Sequence, residues 1–193
     1  MRTNIKDFVG LCAHHLNLLN PIYEFGSFQV PSQVGFADLR PFFPARDYVG
    51  CDIRPGPGVD RIEDIHDIKV SSASVGTVLC MDTLEHVEHP HVAVQEMCRI
   101  LKPGGICLIS SHMWIPIHNC PNDFWRFTPD AFSLLLRCFE SSYVSWAGRE
   151  NFPHTVVGIG FKYKPVVLSD DFDLSLKRWK RKQGKYWLPW VRI

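Results

Sequence analysis

At 193 residues the chain fits one domain with a full-sized core, and 46% hydrophobic with 21% charged residues is the composition of an ordinary soluble protein. A net charge of +1 gives no global field favouring nucleic acid or a membrane surface. The seven cysteines are odd in number and never spaced C-x-x-C, which argues against a disulfide framework or structural zinc and for a reducing, cytoplasmic setting. No long apolar stretch opens the sequence, so neither a signal peptide nor a membrane span is expected.

Residues 5–19 carry Ile5, Phe8, Val9, Cys12, Leu16 and Leu19 at the spacing of an amphipathic helix. His14 and His15 fall within it, and as neighbours they face different ways, which favours solvated side chains over a ligand pair. Residues 21–27 read as a strand ending in a tight turn at Gly26. A second strand over 48–53 places Asp52 near its end, where a carboxylate suits hydrogen bonding to both hydroxyls of a ribose. The following Arg54-Pro55-Gly56-Pro57-Gly58 cannot start a helix of any length. Residues 59–67 give a short third strand and an acidic turn.

The stretch 74–111 organises the rest. Val75 to Met81 is apolar and β-branched, as befits a strand buried on both faces. A polar loop, Asp82-Thr83-Leu84-Glu85-His86, leads to a helix in which Val94, Met97, Cys98, Ile100 and Leu101 form the apolar stripe. Lys102-Pro103-Gly104-Gly105 is expected to stop that helix, with the lysine as the cation of its last turn. A buried strand over 106–110 completes a βαβ unit, and hence a parallel sheet with a right-handed crossover.

After that strand, residues 111–129 form a long loop rich in aromatic and ionisable groups, and loops at the carboxyl end of a parallel strand tend to bind substrate. Asp123 and Arg126 either form an internal ion pair or touch substrate. Thr128 caps a helix over 130–139, with Pro129 in its first turn and Asp130 in the favourable N-terminal field. Residues 143–147 and 155–163 make a closing antiparallel hairpin around a connection at 148–153.

From Asp171 onward, seven lysines and arginines face only Asp171 and Asp173, interleaved with Trp179, Tyr186, Trp187 and Trp190. The division expected is a domain over 1–170 and a basic, aromatic tail over 171–193. The tail either packs on the acidic body or is solvated. The alternative is an anionic membrane surface, another partner or single-stranded nucleic acid.

The string LEHVEHP, followed by a helix, LKPGG and a strand, resembles the centre of class I S-adenosylmethionine-dependent methyltransferases of the type 11 subgroup, over roughly 21–139 of this chain. The resemblance implies an α/β, Rossmann-like doubly wound sheet in the order 3-2-1-4-5-7-6, with S-adenosyl-L-methionine as cofactor. It puts Glu24 and Gly26 in the place of E-x-G-x-G-x-G, but Ser27, Phe28 and Gln29 then depart from it. Ser27 is left to supply a small side chain or an amide. It further implies that Ile53 packs the adenine, that Asp64 and the Ile65 amide meet its edge, and that backbone carbonyls at Met81 and Asp82 hold the cofactor's ammonium. His86 would lie beside the reacting methyl, as proton carrier or as a histidine that fixes its loop.

The string P-I-H-x-x-P-x-D-F-W-R-F-T-P resembles the substrate-side loop of a subgroup associated with polysaccharide and cell-surface glycan gene neighbourhoods. The expected activity is O-methylation of a small-molecule or glycan-like acceptor. His118 is the general base, Asp123 orients it or substitutes for it, and His86 and His112 stand in reserve. No metal is expected. A binding module without turnover is the second reading, and a nucleic-acid methyltransferase using the basic tail the third. The latter is weakened by the absence of an N/D-P-P-Y/F string. A dinucleotide-linked dehydrogenase would want G-x-G-x-x-G, which is missing.

Overall fold

A computed structural model describes residues 1–118, 121–163 and 168–183. Seven strands form one sheet in the order β3-β2-β1-β4-β5-β7-β6. They are β1 (Ile22–Phe25), β2 (Tyr48–Asp52), β3 (Arg61–Ile62), β4 (Val75–Met81), β5 (Leu101–His112), β6 (Ser141–Arg149) and β7 (Phe152–Phe161). The first five are parallel, and β7 pairs antiparallel with both β5 and β6. This is the doubly wound methyltransferase-type arrangement expected from the resemblance.

Every residue of β4 is buried, because its alternate side chains enter two different cores. Val78 and Cys80 join the cluster under α2 (Pro90–Ile100) and α3 (Pro129–Leu135). Leu79 and Met81 join the cluster under α1 (Thr3–His15) and α4 (Asp170–Gln183). A central parallel strand with apolar groups on both faces is the sequence form this demands. The six described cysteines are free, and no helix among the described residues is long and apolar enough to cross a membrane.

The end of α2 differs from expectation. The LKPGG run is the beginning of β5, with Leu101 opposite Val75 and a register shift before Ile106 meets Thr77. Gly104, at φ 78°, takes the left-handed turn that lets the backbone bulge and rejoin the ladder. Lys102 reaches the Asn20 carbonyl instead of the helix terminus. The capping cation is Lys162, buried beyond β7, whose Nζ donates to the carbonyls of Cys98 (2.7 Å), Arg99 (3.1 Å) and Leu101 (2.7 Å). A buried ammonium there satisfies orphan carbonyls and complements the helix dipole.

Other boundaries shift by local chemistry. α1 stops at His15, short of Leu19; His14 is exposed, while His15 meets Ser175 and Phe172 of α4. Thr128 caps α3 as expected, accepting from the Ala131 amide at 3.1 Å, but the helix tightens into a 3-10 turn at Leu136–Cys138. The hairpin strands are longer than predicted and close over Glu150 and Asn151.

The basic segment from Asp171 is helical as far as Gln183. α4 buries Phe172, Leu176 and Trp179 against the α1 side of the sheet, and Trp179 Nε1 donates to the Asn4 carbonyl at 2.8 Å. Its lysines and arginines face outward, apart from Lys180 over the Trp146 ring. Lys185, Tyr186, Trp187, Trp190 and Arg192 lie outside the described residues. Trp179→Ala should therefore lower the unfolding free energy by about 3–5 kcal/mol in urea titrations. A change below about 1 kcal/mol would show that α4 does not contribute to the core.

Candidate active site

The sheet order reverses between β1 and β4, and at such a point the connections leave in opposite directions and open a crevice beyond the strand ends. A cavity of about 490 Å³ occupies it, walled by the ends of β1, β2, β4 and β5. Glu24, Gly26, Ser27, Asp52, Ile53, Asp64, Ile65, Met81, Asp82, His86 and His118 all line it. Asp123 alone among the sequence-predicted residues does not.

Gly26 follows β1 at φ 83°, and a Cβ there would stand 2.1 Å from Thr83 Oγ1, so no other residue fits the turn. The Gly26 and Ser27 amides both donate to the Cys51 carbonyl, at 2.9 and 3.0 Å. Ser27 thus has no amide left to offer. Its hydroxyl is buried at the cavity wall without a hydrogen-bond partner. Phe28, where a glycine would be expected, packs on Gly56 with the Arg54 guanidinium 4.4 Å above its ring, and the cavity stays open.

Burial pushes the Glu24 carboxyl up to about 7, although the Tyr48 hydroxyl donates to its Oε2 at 2.7 Å and pulls the other way. Asp52 is buried; its Oδ1 accepts from the Arg54 amide at 3.0 Å, and its Oδ2 takes only a long bond, 3.3 Å, from the Phe28 amide. Ile53 is 62% exposed, an apolar face turned to the opening. Asp64 accepts from both the amide and Nδ1 of His66, at 2.9 and 2.8 Å, and the amide bond leads in holding it below the usual carboxylate range.

Asp82 sits at φ 47°, a left-handed backbone for a non-glycine residue, locked by Ser110, whose hydroxyl bonds both its amide and its carboxylate at 2.9 Å. Burial alone would raise its carboxyl. Arg2, reaching both oxygens at 2.8 and 3.0 Å, outweighs that and holds it well below the usual range. Arg2 also donates to Thr155 at 2.5 Å, so the N-terminus is strapped across the ends of β4 and β7. A contact spanning 80 residues left no local signal in the sequence.

The loop after β5 is fastened to the LEHVEHP segment and to the end of β5 by hydrogen bonds to main-chain carbonyls. The Glu85 carbonyl accepts from the Phe124 and Trp125 amides, the Val87 carbonyl from Trp125 Nε1, and the His112 carbonyl from the Phe127 amide. His86 Nδ1 bonds the Asn122 carbonyl. The Asp123 carboxylate is enclosed. Arg126 grips both its oxygens, the His118 amide donates to Oδ2 at 2.8 Å, and His118 Nδ1 lies 3.3 Å away. The Arg126 bonds lead in depressing its carboxyl far below the normal range.

His86, His112 and His118 meet edge to face, with ring centroids 4.9 and 5.3 Å apart. Glu85 beside them is fully buried. Its Oε2 accepts from Ser111 at 2.6 Å, and its Oε1 lies 3.2 Å from His112 Nε2.

Residues 43–109 match the family described as methyltransferase domain. No curated protein sequence matches the chain. Among solved structures, a SAM-dependent methyltransferase from Archaeoglobus fulgidus superposes with a TM-score of 0.63 at 12% identity, covering 82% of this chain and 93% of that one. The trans-methyltransferase CalH, in complex with SAH, gives 0.62 at 14% identity, covering 82% and 55%. A Thermotoga maritima SAM-dependent methyltransferase, described as a possible histamine N-methyltransferase, gives 0.55 at 17% identity, covering 81% and 89%. At these identities the likeness is one of fold.

A carboxyl raised in the folded protein binds its proton more tightly there than in the unfolded chain, so its contribution to stability falls as pH rises. For Glu24 the fall runs from about pH 4.5 to about 7. Denaturant titrations of the wild type and Glu24→Gln should therefore diverge across that window, the wild type losing stability relative to the variant. Parallel curves would mean that Glu24 titrates normally.

Proposed function

We propose that the chain is an S-adenosylmethionine-dependent methyltransferase that methylates an oxygen of a small-molecule or glycan-like acceptor. The observation that carries this reading is the meeting of Glu24, Asp52 and Met81 on one cavity at the sheet's reversal. The donor set fits the cofactor. Asp52 has an under-used carboxylate oxygen for the ribose hydroxyls, and Ile53 an exposed apolar face for the adenine, beside Asp64 and Ile65. At the other end, the buried Glu24 carboxyl and the unpartnered Ser27 hydroxyl suit the cationic amino-acid portion, next to Gly26, Met81 and Asp82.

The cofactor, when bound, supplies an activated methyl on a positively charged sulfur. The chain's own task is then alignment and proton removal. Holding reactants in line can contribute up to about 7–11 kcal/mol in favourable cases. His118, half-exposed on the cavity wall, takes the proton from the acceptor's hydroxyl as its oxygen gains the new bond to carbon. Asp123, enclosed by Arg126, orients His118 and does not replace it. The 2.5 Å bond of His86 to Asn122 favours a loop-fixing role for that ring. Phe124 and Trp125, 47% and 44% exposed on the same loop, offer flat apolar surface to an acceptor such as a sugar ring.

Calorimetry with S-adenosylmethionine should find one site, and Asp52→Ala should weaken it about 10–100-fold, the loss of hydrogen bonds to a charged group. Absence of binding to the wild type would end the cofactor assignment. With an acceptor found by a methyl-release screen, His118→Ala should lower turnover about 10²–10⁴-fold. Unchanged turnover would remove His118 as the base.

A further inference from the structure

We propose that Glu85, His112 and His118 form a binding site for a divalent transition-metal ion of the zinc class on the wall of the cavity. The three come from separate places: the 3-10 turn Leu84–His86, the last residue of β5, and the aromatic loop. Each offers one ligand atom, and these atoms all lie within 4.8 Å of one another.

Two further observations point to a cation. The Glu85 side chain is fully buried, yet Oε1 has no hydrogen-bond partner. His112 Nε2 stands 3.2 Å from Glu85 Oε1 without forming a hydrogen bond. Two ligands on one tetrahedral ion, each bound at about 2.0–2.2 Å, sit about 3.3–3.6 Å apart. The pair's 3.2 Å is close to that spacing, and no hydrogen bond joins the two atoms. A buried carboxylate oxygen with no donor is costly, and a cation removes that cost.

Two of the three residues also have outer partners of the right kind. Ser111 holds Oε2 of Glu85 at 2.6 Å, and Asp123, fixed by Arg126, stands 3.3 Å from His118 Nδ1, leaving the other ring nitrogen for the ion. Carboxylates behind ligating imidazoles orient the ring and raise its basicity. Two imidazoles and a carboxylate select zinc-class ions over magnesium or calcium. His112 and His118 both border the cavity, so an ion held by them would be reachable from it.

An ion of this class would supply Lewis-acid polarisation to an oxygen reaching it from the cavity. With the ion bound, His118 would serve as a ligand, and its role as base belongs to the ion-free chain.

Metal uptake does not depend on the cofactor reading, so it is tested on the full chain without cofactor. Chelator-treated protein is titrated with Zn²⁺ by calorimetry, and with Co²⁺ followed by visible absorption. One ion per chain is expected, weakened at least about tenfold by His118→Ala and by His112→Asn, with both variants checked for folding by circular dichroism. His89→Ala, which alters the separate contact of His66, His89 and His91, should leave binding unchanged. His118 lies on a half-exposed loop, so its variant decides the matter even if His112→Asn fails to fold. No saturable binding, or binding that His118→Ala leaves intact, overturns the proposal. S-adenosylmethionine binding retained without zinc binding would sink the metal site alone.

Discussion

The constraint on which everything else rests is the reversal of strand order between β1 and β4. Five parallel strands place their carboxyl ends on one edge, and only at the reversal do the following loops part. Gly26, Asp52 and Asp82 are each the last residue of a strand or the first beyond one, so their positions follow from strand register more than from loop conformation. Gly26 shows how tight this is, since its missing Cβ makes room for Thr83 from the neighbouring strand's loop.

A second layer is built upon that edge. The LEHVEHP segment and the aromatic loop are joined through the carbonyls of Glu85 and Val87, and His112 at the end of β5 holds Phe127. The loop is thereby pinned by backbone amides and the Trp125 indole, while Phe124 and Trp125 remain half-exposed. The carboxyls of the region differ in electrostatics. Burial pushes the Glu24 carboxyl up, whereas Asp82 and Asp123 are each gripped by an arginine that holds the carboxyl below its usual range.

Much of the fold was legible because it is written in short-range patterns. The all-buried run of β4, the Thr128-Pro129 helix start and the Asp52 strand end are local signals, and each appears where expected. What escaped the local patterns depends on partners far along the chain. The cation at the end of α2 is Lys162 from beyond β7, not the adjacent Lys102. Arg2 closes on Asp82, and Ser111 and His112 meet the buried Glu85. The metal-ligand grouping was invisible for the same reason: its members are spaced irregularly, and only the fold makes them neighbours.

The main-chain fastening of the aromatic loop has an evolutionary consequence. Because Phe124 is held through its amide, its exposed side chain can be exchanged without releasing the segment from the scaffold. Acceptor preference can then drift by substitution while the donor half of the crevice stays untouched, so that close relatives could share a chemistry and differ in what they modify.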